Sequence, residues 1–406
     1  MTTPVDELDL PDLDLQGLDR LQALAAVADA RSQHWLARTP MGYALTDYPD
    51  VVAVLRDRRF HSALSLVARP RAGAGPDRPA ARRPSILEME GDEHARLRRL
   101  VAPAFTPLSA DRLRPTMRRV IGDLAAAVCD AGRCELVGDV CEPYPIPIIC
   151  ELLGAPPDDA GRFSVWATDI FRIFNQDLDR DLPLIARAAQ ELGDYVRSLI
   201  EQRRQSPGAD LLSDLIAVEQ SGDRLSTSEM SMLVEAVLMA GTDTTRNQLA
   251  CTVALFAEHP AQWELLARRP ELAPRAVEES MRYLGAVRGT VRFAAEEVEY
   301  RGVLFPRGTI VSASLAGGNR SPAIFSQPDC FDITAEREVG QLTFGSGIHH
   351  CLGAALARAE LQEALVVLSQ LITDLQLDAP VEWKPSTFGI WGPARLPLRF
   401  RRRPQA

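Results

Sequence analysis

Apolar residues recur at helical spacing along most of the chain, which predicts a largely α-helical protein. The runs with this spacing cover residues 111–131, 182–203, 226–258, 272–285 and 351–374. Strand-like alternation is restricted to short stretches near residues 296–315 and 395–400. The pattern therefore predicts a mostly α fold with a small β region.

The stretch 68–83 differs from the rest of the chain because it consists mainly of Pro, Gly, Ala and Arg. Such a composition does not build a core and predicts a loop. No other stretch is typical of a linker between domains, and no internal repeat is visible. We therefore predict one domain over residues 1–406, with an acidic arm over about 1–18 and a mobile loop over about 68–85.

Charge and hydropathy argue against several classes of protein. The chain has 55 acidic and 45 basic residues, and its net charge of −10 disfavours binding to nucleic acid. No stretch approaches the ~20 apolar residues of a membrane-spanning helix. The N-terminus is acidic and lacks the regions of a signal peptide, so we expect a cytoplasmic protein without a membrane anchor. Only one basic residue, Lys384, is a lysine.

The seven cysteines do not form a structural framework that the sequence reveals. None of them lies in a Cys-x-x-Cys pair, and their number is odd. A set of disulfides or a four-cysteine zinc site is therefore not expected.

One cysteine stands in a distinctive segment, TFGSGIHHCLGAALARAE at residues 343–360. A dinucleotide-binding loop would need glycine where His350 stands, and an apolar strand before it. A zinc site would need adjacent residues such as His349 and Cys351 to converge on one ion, with a fourth ligand that is not evident.

A third interpretation is that Cys351 is a thiolate ligand to haem iron. A cysteine at the start of a helix lies among free N–H groups at the positive end of the helix dipole, and both stabilise a thiolate. Glycines let the backbone approach a flat macrocycle. The alternative, a buried free cysteine, leaves the grouping of glycine, aromatic, histidine and cysteine unexplained.

The segment resembles the haem-binding loop of the cytochrome P-450 monooxygenases. The matching positions are Phe344-Gly345-x-Gly347-x-His349-x-Cys351-x-Gly353. The resemblance implies haem b (iron protoporphyrin IX) as cofactor, with Cys351 as its axial metal ligand. It also implies that His349 contacts a haem propionate, and that Phe344 and Gly353 contact the cofactor.

A second motif, Ala240-Gly241-Thr242-Asp243-Thr244, lies within the predicted helix 226–258. Glycine in a helix costs ~1 kcal/mol relative to alanine, so a break of this kind in an apolar helix indicates function. The alternative is a packing glycine with solvated polar neighbours. The motif resembles the distal helix of the same family, which forms an oxygen groove. This implies that Ala240 and Gly241 border the cofactor and that Asp243 and Thr244 are catalytic, as the acid and the alcohol.

Further motifs occur in the order that the family has them. Glu279 and Arg282, three residues apart on a predicted helix, match a structural Glu-x-x-Arg pair. His94 and Arg98 share one helix face, and the resemblance implies that both bind propionates. Arg292 matches a third arginine with this role.

The resemblance implies the single-domain, triangular cytochrome P-450 fold of the soluble bacterial type. The activity it implies is a haem-thiolate monooxygenase that inserts one atom of O2 into a hydrophobic small molecule. We expect the substrate to be a terpenoid, steroid, fatty acid or polyketide-like compound. Because the chain leaves no room for a flavin or iron–sulfur module, we expect electrons from a separate ferredoxin and an NAD(P)H-dependent ferredoxin reductase.

Two alternatives keep the haem and change the outcome. The first is oxidative coupling or peroxide-driven oxidation, and the second is a haem sensor without catalysis, which would need no acid–alcohol pair. The segments that line the family's pocket are mostly apolar here. They include Ile86, Leu87, Ile173, Phe174, Val237, Val287, Val291, Ile390 and Trp391. The resemblance makes the loop 68–85 part of an entry lid, whose arginines would attract an anionic group.

Overall fold

The structure, a computed structural model, describes residues 2–67, 84–172, 178–220, 225–385 and 390–404. Ile173, Phe174 and almost all of the predicted lid loop lie outside the described residues. Within the described ranges, no helix is both long and apolar enough to cross a membrane.

Helices make up most of the described chain, as the apolar spacing predicts. In chain order they are α1 (Arg20–Gln33), α2 (Tyr48–Arg56), α3 (Leu64–Val67), α4 (Gly91–Val101), α5 (Pro107–Cys129), α6 (Pro145–Leu153), α7 (Ala160–Phe171), α8 (Leu178–Gln205), α9 (Leu211–Gln220), α10 (Thr227–Glu258), α11 (Pro260–Arg268), α12 (Ala273–Tyr283), α13 (Leu315–Gly318) and α14 (Ala354–Leu371). The five predicted helical runs correspond to α5, α8, α10, α12 and α14.

The strands are short. They are β1 (Thr3–Pro4), β2 (Leu36–Thr39), β3 (Gly42–Leu45), β4 (Phe60–Ser62), β5 (Arg133–Glu135), β6 (Gly289–Ala294), β7 (Val298–Tyr300), β8 (Val303–Phe305), β9 (Ile310–Ser314), β10 (Ile372–Leu377), β11 (Glu382–Trp383), β12 (Pro393–Arg395) and β13 (Pro397–Arg402). The strands near the N-terminus were not predicted, because three or four residues are too few for an alternating pattern to stand out.

The predicted helix over 351–374 is wrong at both ends. The helix begins at Ala354, after the N-cap residue Gly353, and the chain enters β10 at Ile372. Ile372 pairs with Arg402 on β13, and its β-branched side chain suits a strand. Long-range pairing therefore overrides the apolar spacing at this end.

The described chain forms two compact units. Residues 1–98, 287–329 and 341–351 form the first unit, which contains a five-stranded sheet in the order β2-β3-β9-β6-β4. Its core includes Leu36, Leu45 and Phe305, all of which are fully buried. The acidic arm belongs to this unit, because β1 pairs with β8 and Val5 is buried in the core. That residues 1–406 act as one catalytic domain stays a prediction.

Residues 99–286, 330–340 and 352–406 form the second unit, which is mainly helical. Its longest helix, α10, begins with a capping box between Ser226 and Glu229. The second half of α10 is buried almost without interruption from Asn247 to Phe256. A small sheet in the order β10-β13-β5 completes the unit. The long buried helix carries the acid–alcohol motif at its middle.

Candidate active site

The cysteine loop is a tight turn that needs glycine at defined positions. Gly345 and Gly347 both have a φ of +72°, a region that favours glycine. A Cβ on Gly347 would lie 2.0 Å from the carbonyl oxygen of Leu55. The Cys351 N–H donates to the Phe344 carbonyl oxygen at 2.9 Å and closes the loop. The side chain of Cys351 is left exposed.

Cys351 lies just outside α14, two residues before its N-cap, and not at the start of the helix as expected from the sequence. Gly353, the N-cap, has an ordinary φ of −81°, and a Cβ there would meet open space. Neither the backbone nor the neighbouring protein atoms therefore require glycine at this position. A flat group lying against the loop would require it.

The first unit brings together the four basic residues that the sequence singles out. His94 and Arg98 lie on α4, and the ring centroids of His94 and His349 are 4.8 Å apart. Arg98 donates to the carbonyl oxygen of His350 at 2.6 Å. Arg292 projects from β6 and is only 5% exposed. We call His94, Arg98, Arg292 and His349 the basic cluster.

One carboxylate, Glu90, accompanies the basic cluster. Its Oε1 atom lies 3.0 Å from His349 Nε2 and accepts the Ser62 N–H at 2.6 Å. Burial alone would raise the pKa of Glu90, but the hydrogen bonds from His349 and Ser62 outweigh burial and lower it. The sequence analysis missed Glu90, since a single acid four residues before His94 is not distinctive.

The basic cluster has more cationic groups than its one carboxylate balances. Among the described residues, no carboxylate lies within ion-pair distance of Arg292, whose guanidinium donates to Thr290 Oγ1 and the Val291 carbonyl oxygen. Burial lowers the pKa of Arg292, and burial followed by His349 and Arg98 lowers the pKa of His94 to about 4. With a pKa near 4, His94 is uncharged at neutral pH, so the positive charge of the cluster belongs mainly to Arg98 and the buried Arg292. A buried cation such as Arg292 requires an anionic partner. The two propionates of a haem supply that charge, so these residues fit the cofactor.

The acid and the alcohol lie on α10 in the second unit. Thr244 Oγ1 donates to the Ala240 carbonyl oxygen at 2.8 Å, the back-bonding that threonine makes within helices. Asp243 is buried and accepts a hydrogen bond from Arg246 Nε at 2.6 Å. Arg246 also lies 3.5 Å from Glu142. The sequence analysis missed Arg246, although its position three residues after Asp243 on one helix is a usable signal.

Gly241 has a packing role in this structure. A Cβ at Gly241 would lie 2.3 Å from Ile149 Cδ1 on α6, so glycine is needed where the two helices approach. This contact agrees with the alternative of a packing glycine, and the place of Gly241 among the cofactor-binding residues stays a prediction. Ala240, one residue earlier, is exposed.

The Glu279–Arg282 pair is present on α12, and both side chains are almost fully buried. Arg282 donates to both carboxylate oxygens of Glu279 at 2.8 Å. Arg337 joins the same carboxylate at 2.9 Å, and the Asp332 N–H donates to it at 3.3 Å. The pair therefore joins α12 to the segment 330–340 in the interior of the second unit.

The apolar residues proposed for the substrate pocket fall into different environments. Trp391 is 3% exposed, and its ring stacks on Trp383 with 4.5 Å between centroids. Val287 packs against the core of the first unit, and Leu87 is 49% exposed. That these three side chains line the substrate pocket stays a prediction. The remaining described candidates are partly buried: Ile86, Val237, Val291 and Ile390.

A mostly α fold, a glycine-rich cysteine loop and the buried cation Arg292 in the same unit as that loop are the features expected of a haem-thiolate protein. A family model described as Cytochrome P450 matches residues 160–268 and 261–388. Luteothin monooxygenase of Streptomyces thioluteus is 36% identical over 403 residues, covering 97% of this chain and 96% of that protein. Mycinamicin IV hydroxylase/epoxidase of Micromonospora griseorubida is 38% identical over 372 residues, covering 89% and 91%. The crystal structure of CalO2 has a TM-score of 0.85 at 29% identity, covering 94% and 96%.

The chain therefore belongs to the cytochrome P450 family. Its cofactor is haem with a cysteine thiolate as axial ligand, and its activity is that of a monooxygenase. Proteins of this family receive electrons from redox partners and act on hydrophobic molecules.

Proposed function

We propose that Cys351 ligates the haem iron and that this chain oxygenates a polyketide-like molecule, by hydroxylation or epoxidation. The observation that carries the proposal is the basic cluster of the first unit, which lies beside the loop of Cys351 with only Glu90 to balance it. Arg98 links the basic cluster to the cysteine loop, because it donates a hydrogen bond to the carbonyl oxygen of His350, the residue before Cys351. Thiolate-ligated haem supplies the oxygen chemistry when bound.

The basic cluster would hold the cofactor by its propionates. Arg292 and Arg98 offer guanidinium donors that match a carboxylate in two-point geometry. His94 is buried without a hydrogen-bond partner among the described residues, so its ring nitrogens are available. His349 is oriented by Glu90 before any cofactor is considered. The four side chains of the basic cluster would then bind the haem and fix its orientation.

Asp243 and Thr244 would carry out the proton chemistry of the site. The Thr244 hydroxyl donates its own proton to the Ala240 carbonyl oxygen, so its lone pairs remain free to accept a hydrogen bond. Thr244 would therefore act at the site as a hydrogen-bond acceptor. Asp243 offers a carboxylate that can take up and release protons one residue away. Arg246 fixes the position of that carboxylate.

The substrate class rests on the relatives and on the side chains that remain as pocket candidates. Mycinamicin IV hydroxylase/epoxidase acts on mycinamicin IV, as its name states, and its match covers 89% of this chain. Ile86, Val237, Val291 and Ile390 are apolar and partly buried, which suits a hydrophobic ligand. We place the chain in secondary metabolism, in the cytoplasm, with electrons delivered by a ferredoxin and its NAD(P)H-dependent reductase.

The ligand assignment is tested by replacing Cys351 with serine and recording the reduced carbon monoxide spectrum. The wild-type band typical of thiolate ligation should be lost. Cys330→Ser is the matched control, since Cys330 is also an exposed free cysteine and should leave the band unchanged. A thiolate-type band in Cys351→Ser would overturn the assignment.

The substrate assignment is tested with a panel of macrolactones, steroids, terpenoids and fatty acids. The haem band of the intact enzyme should shift from low to high spin with macrolactones. Turnover under ¹⁸O₂ with ferredoxin, its reductase and NADPH should place one labelled oxygen in the product. Coupled products without label would favour oxidative coupling, and turnover with hydrogen peroxide alone would favour the peroxide-driven alternative.

A further inference from the structure

The only lysine of the chain, Lys384, lies beside the acid of the distal helix. It follows β11 directly, and its backbone is fixed on both sides. Its N–H donates to the Gly392 carbonyl oxygen at 3.0 Å, and its own carbonyl oxygen accepts the Trp391 indole N–H at 3.0 Å. The side chain is therefore held by a rigid segment rather than by a free loop.

The ammonium group of Lys384 reaches α10 through one intermediate. Lys384 Nζ donates to Asn247 Oδ1 at 2.8 Å, and Asn247 Nδ2 donates to the Asp243 carbonyl oxygen at 2.7 Å. Asn247 is 3% exposed, so its amide cannot use water instead. A Cβ on Gly392 would lie 2.8 Å from Asn247 Oδ1, which shows how closely this segment approaches the helix.

Lys384 determines which way the Asn247 amide points. An ammonium group donates and never accepts, so it requires the oxygen of the amide on its own side. The NH2 group must then face the Asp243 carbonyl oxygen. Without the lysine, Asn247 Oδ1 would be a buried acceptor lacking this donor, which is unfavourable.

The charged surroundings of Lys384 come from several elements of the second unit. Burial lowers the pKa of Lys384. The Asp243 carboxylate raises this pKa, and the Arg246 guanidinium lowers it further. Cys251 and Glu142 also raise the pKa of Lys384, as Asp243 does. Arginine would keep a charge here at every pH, whereas lysine is a compact donor that fits a single amide oxygen.

We propose that Lys384 is a positioning residue for the distal acid, acting through Asn247 to hold the turn of α10 that carries Asp243 and Thr244. This inference rests on the proposed role of Asp243 in proton delivery. It connects the residue that follows β11 with the proton relay. Substitution of Lys384 should therefore change how efficiently reducing equivalents reach product, and leave haem binding as it was.

The first test compares Lys384→Met, which removes the donor, with Lys384→Arg, which keeps one. In the haem-loaded enzyme, Lys384→Met should lower the product formed per NADPH about fivefold, the effect of one hydrogen bond. It should also raise the solvent deuterium isotope effect on turnover, which a merely structural defect would not. Lys384→Arg should recover part of the loss. Wild-type coupling in Lys384→Met would overturn the proposal.

Asn247→Leu supplies the second arm, because it removes the intermediate. If the two residues act as one unit, the double variant Lys384→Met/Asn247→Leu should be no worse than the poorer single variant. Additive losses would overturn the linkage. Asp243→Asn separates this inference from the proposed function. If Asp243→Asn turns over normally, the relay itself fails, whereas a slow Asp243→Asn with a normal Lys384→Met defeats only the role of Lys384.

A third measurement does not depend on activity. Because the chain has one lysine, haem-loaded protein labelled with ¹³Cε-lysine should give a single lysine side-chain NMR signal. Its titration should lie below the usual lysine range and should move in Asn247→Leu and in Asp243→Asn. A signal that titrates as free lysine and is unaffected by both substitutions would show that Lys384 does not contact the network.

Discussion

His349 Nε2 lies 3.0 Å from Glu90 Oε1, so the histidine two residues before Cys351 is paired with a half-buried carboxylate from the segment just before α4. Glu90 also receives the Ser62 N–H, which anchors it independently of His349. The basic cluster therefore contains its own negative charge. This charge adds to the field in which the haem iron changes its oxidation state.

Glu90→Gln should raise the reduction potential of the haem. Removing a half-buried negative charge disfavours the more positive ferric state, by an amount on the order of tens of millivolts. Spectroelectrochemical titration of the haem-loaded protein measures it. Glu93→Gln is the control, because Glu93 is an exposed carboxylate on α4 and should leave the potential unchanged. An equal shift in both variants would show that Glu90 has no special proximity to the cofactor.

Arg292→Met should weaken haem retention. The substitution removes a buried cation that has no carboxylate partner among the described residues, so a propionate would be left unpaired. A charge-assisted hydrogen bond contributes about 1.5–3 kcal/mol, which corresponds to haem loss roughly 10- to 100-fold faster. Haem transfer to apomyoglobin gives the rate.

Arg292→Lys should restore part of the retention, since it keeps the charge and loses the planar fork. Arg307→Met, at an exposed arginine of the same unit, should behave as wild type. Unchanged transfer from Arg292→Met would place the propionates elsewhere.

Thr244→Ala should uncouple the enzyme. Oxygen and NADPH would still be consumed, while hydrogen peroxide replaces product, because the acceptor that Thr244 offers is lost. Thr242→Ala is the matched control. Thr242 makes the same kind of back-bond, to the Leu238 carbonyl oxygen at 3.3 Å, and is one position outside the acid–alcohol pair. Product and peroxide are quantified against NADPH, and equal uncoupling in both variants would assign the effect to helix geometry.

Glu360 on α14 predicts a pH dependence of stability. Burial raises its pKa to about 8, although a hydrogen bond from Thr245 opposes this, and its Oε1 atom has no hydrogen-bond partner. The unfolded chain releases this proton near the ordinary value of 4.5, and the folded chain keeps it up to about 8. The stability contribution is thus fully present below pH ~4.5 and is lost as pH rises through that window.

Glu360→Gln should remove this loss and raise the free energy of unfolding at pH 8 by an amount on the order of 4 kcal/mol. Urea unfolding of the haem-loaded protein at pH 5.5 and pH 8 measures it. Glu363→Gln should instead lower the free energy of unfolding at both pH values, because Glu363 is paired with Arg114 and Arg118. A wild-type pH slope in Glu360→Gln would mean that this carboxyl is solvated.

The sequence by itself determined the mostly α class and the residues of the cysteine loop. Both follow from local rules: apolar spacing defines a helix, and a left-handed φ or a close approach demands glycine, as at Gly347. The acid–alcohol motif was recognisable for the same reason, since its residues are poor helix formers within an apolar helical pattern. At Gly241 the sequence could not show the approach of Ile149, which gives this glycine a packing contact as well.

Only the tertiary structure decided which groups stand next to those residues. Glu90 and His349 are 259 positions apart, and Lys384 and Asn247 are 137 apart. No periodicity spans such distances, because the contacts arise when separate elements pack. The end of α14 at Leu371 was set in the same way, by the pairing of β10 with β13. Charge balance and amide orientation depend on these long-range contacts, and so they become visible only in the folded chain.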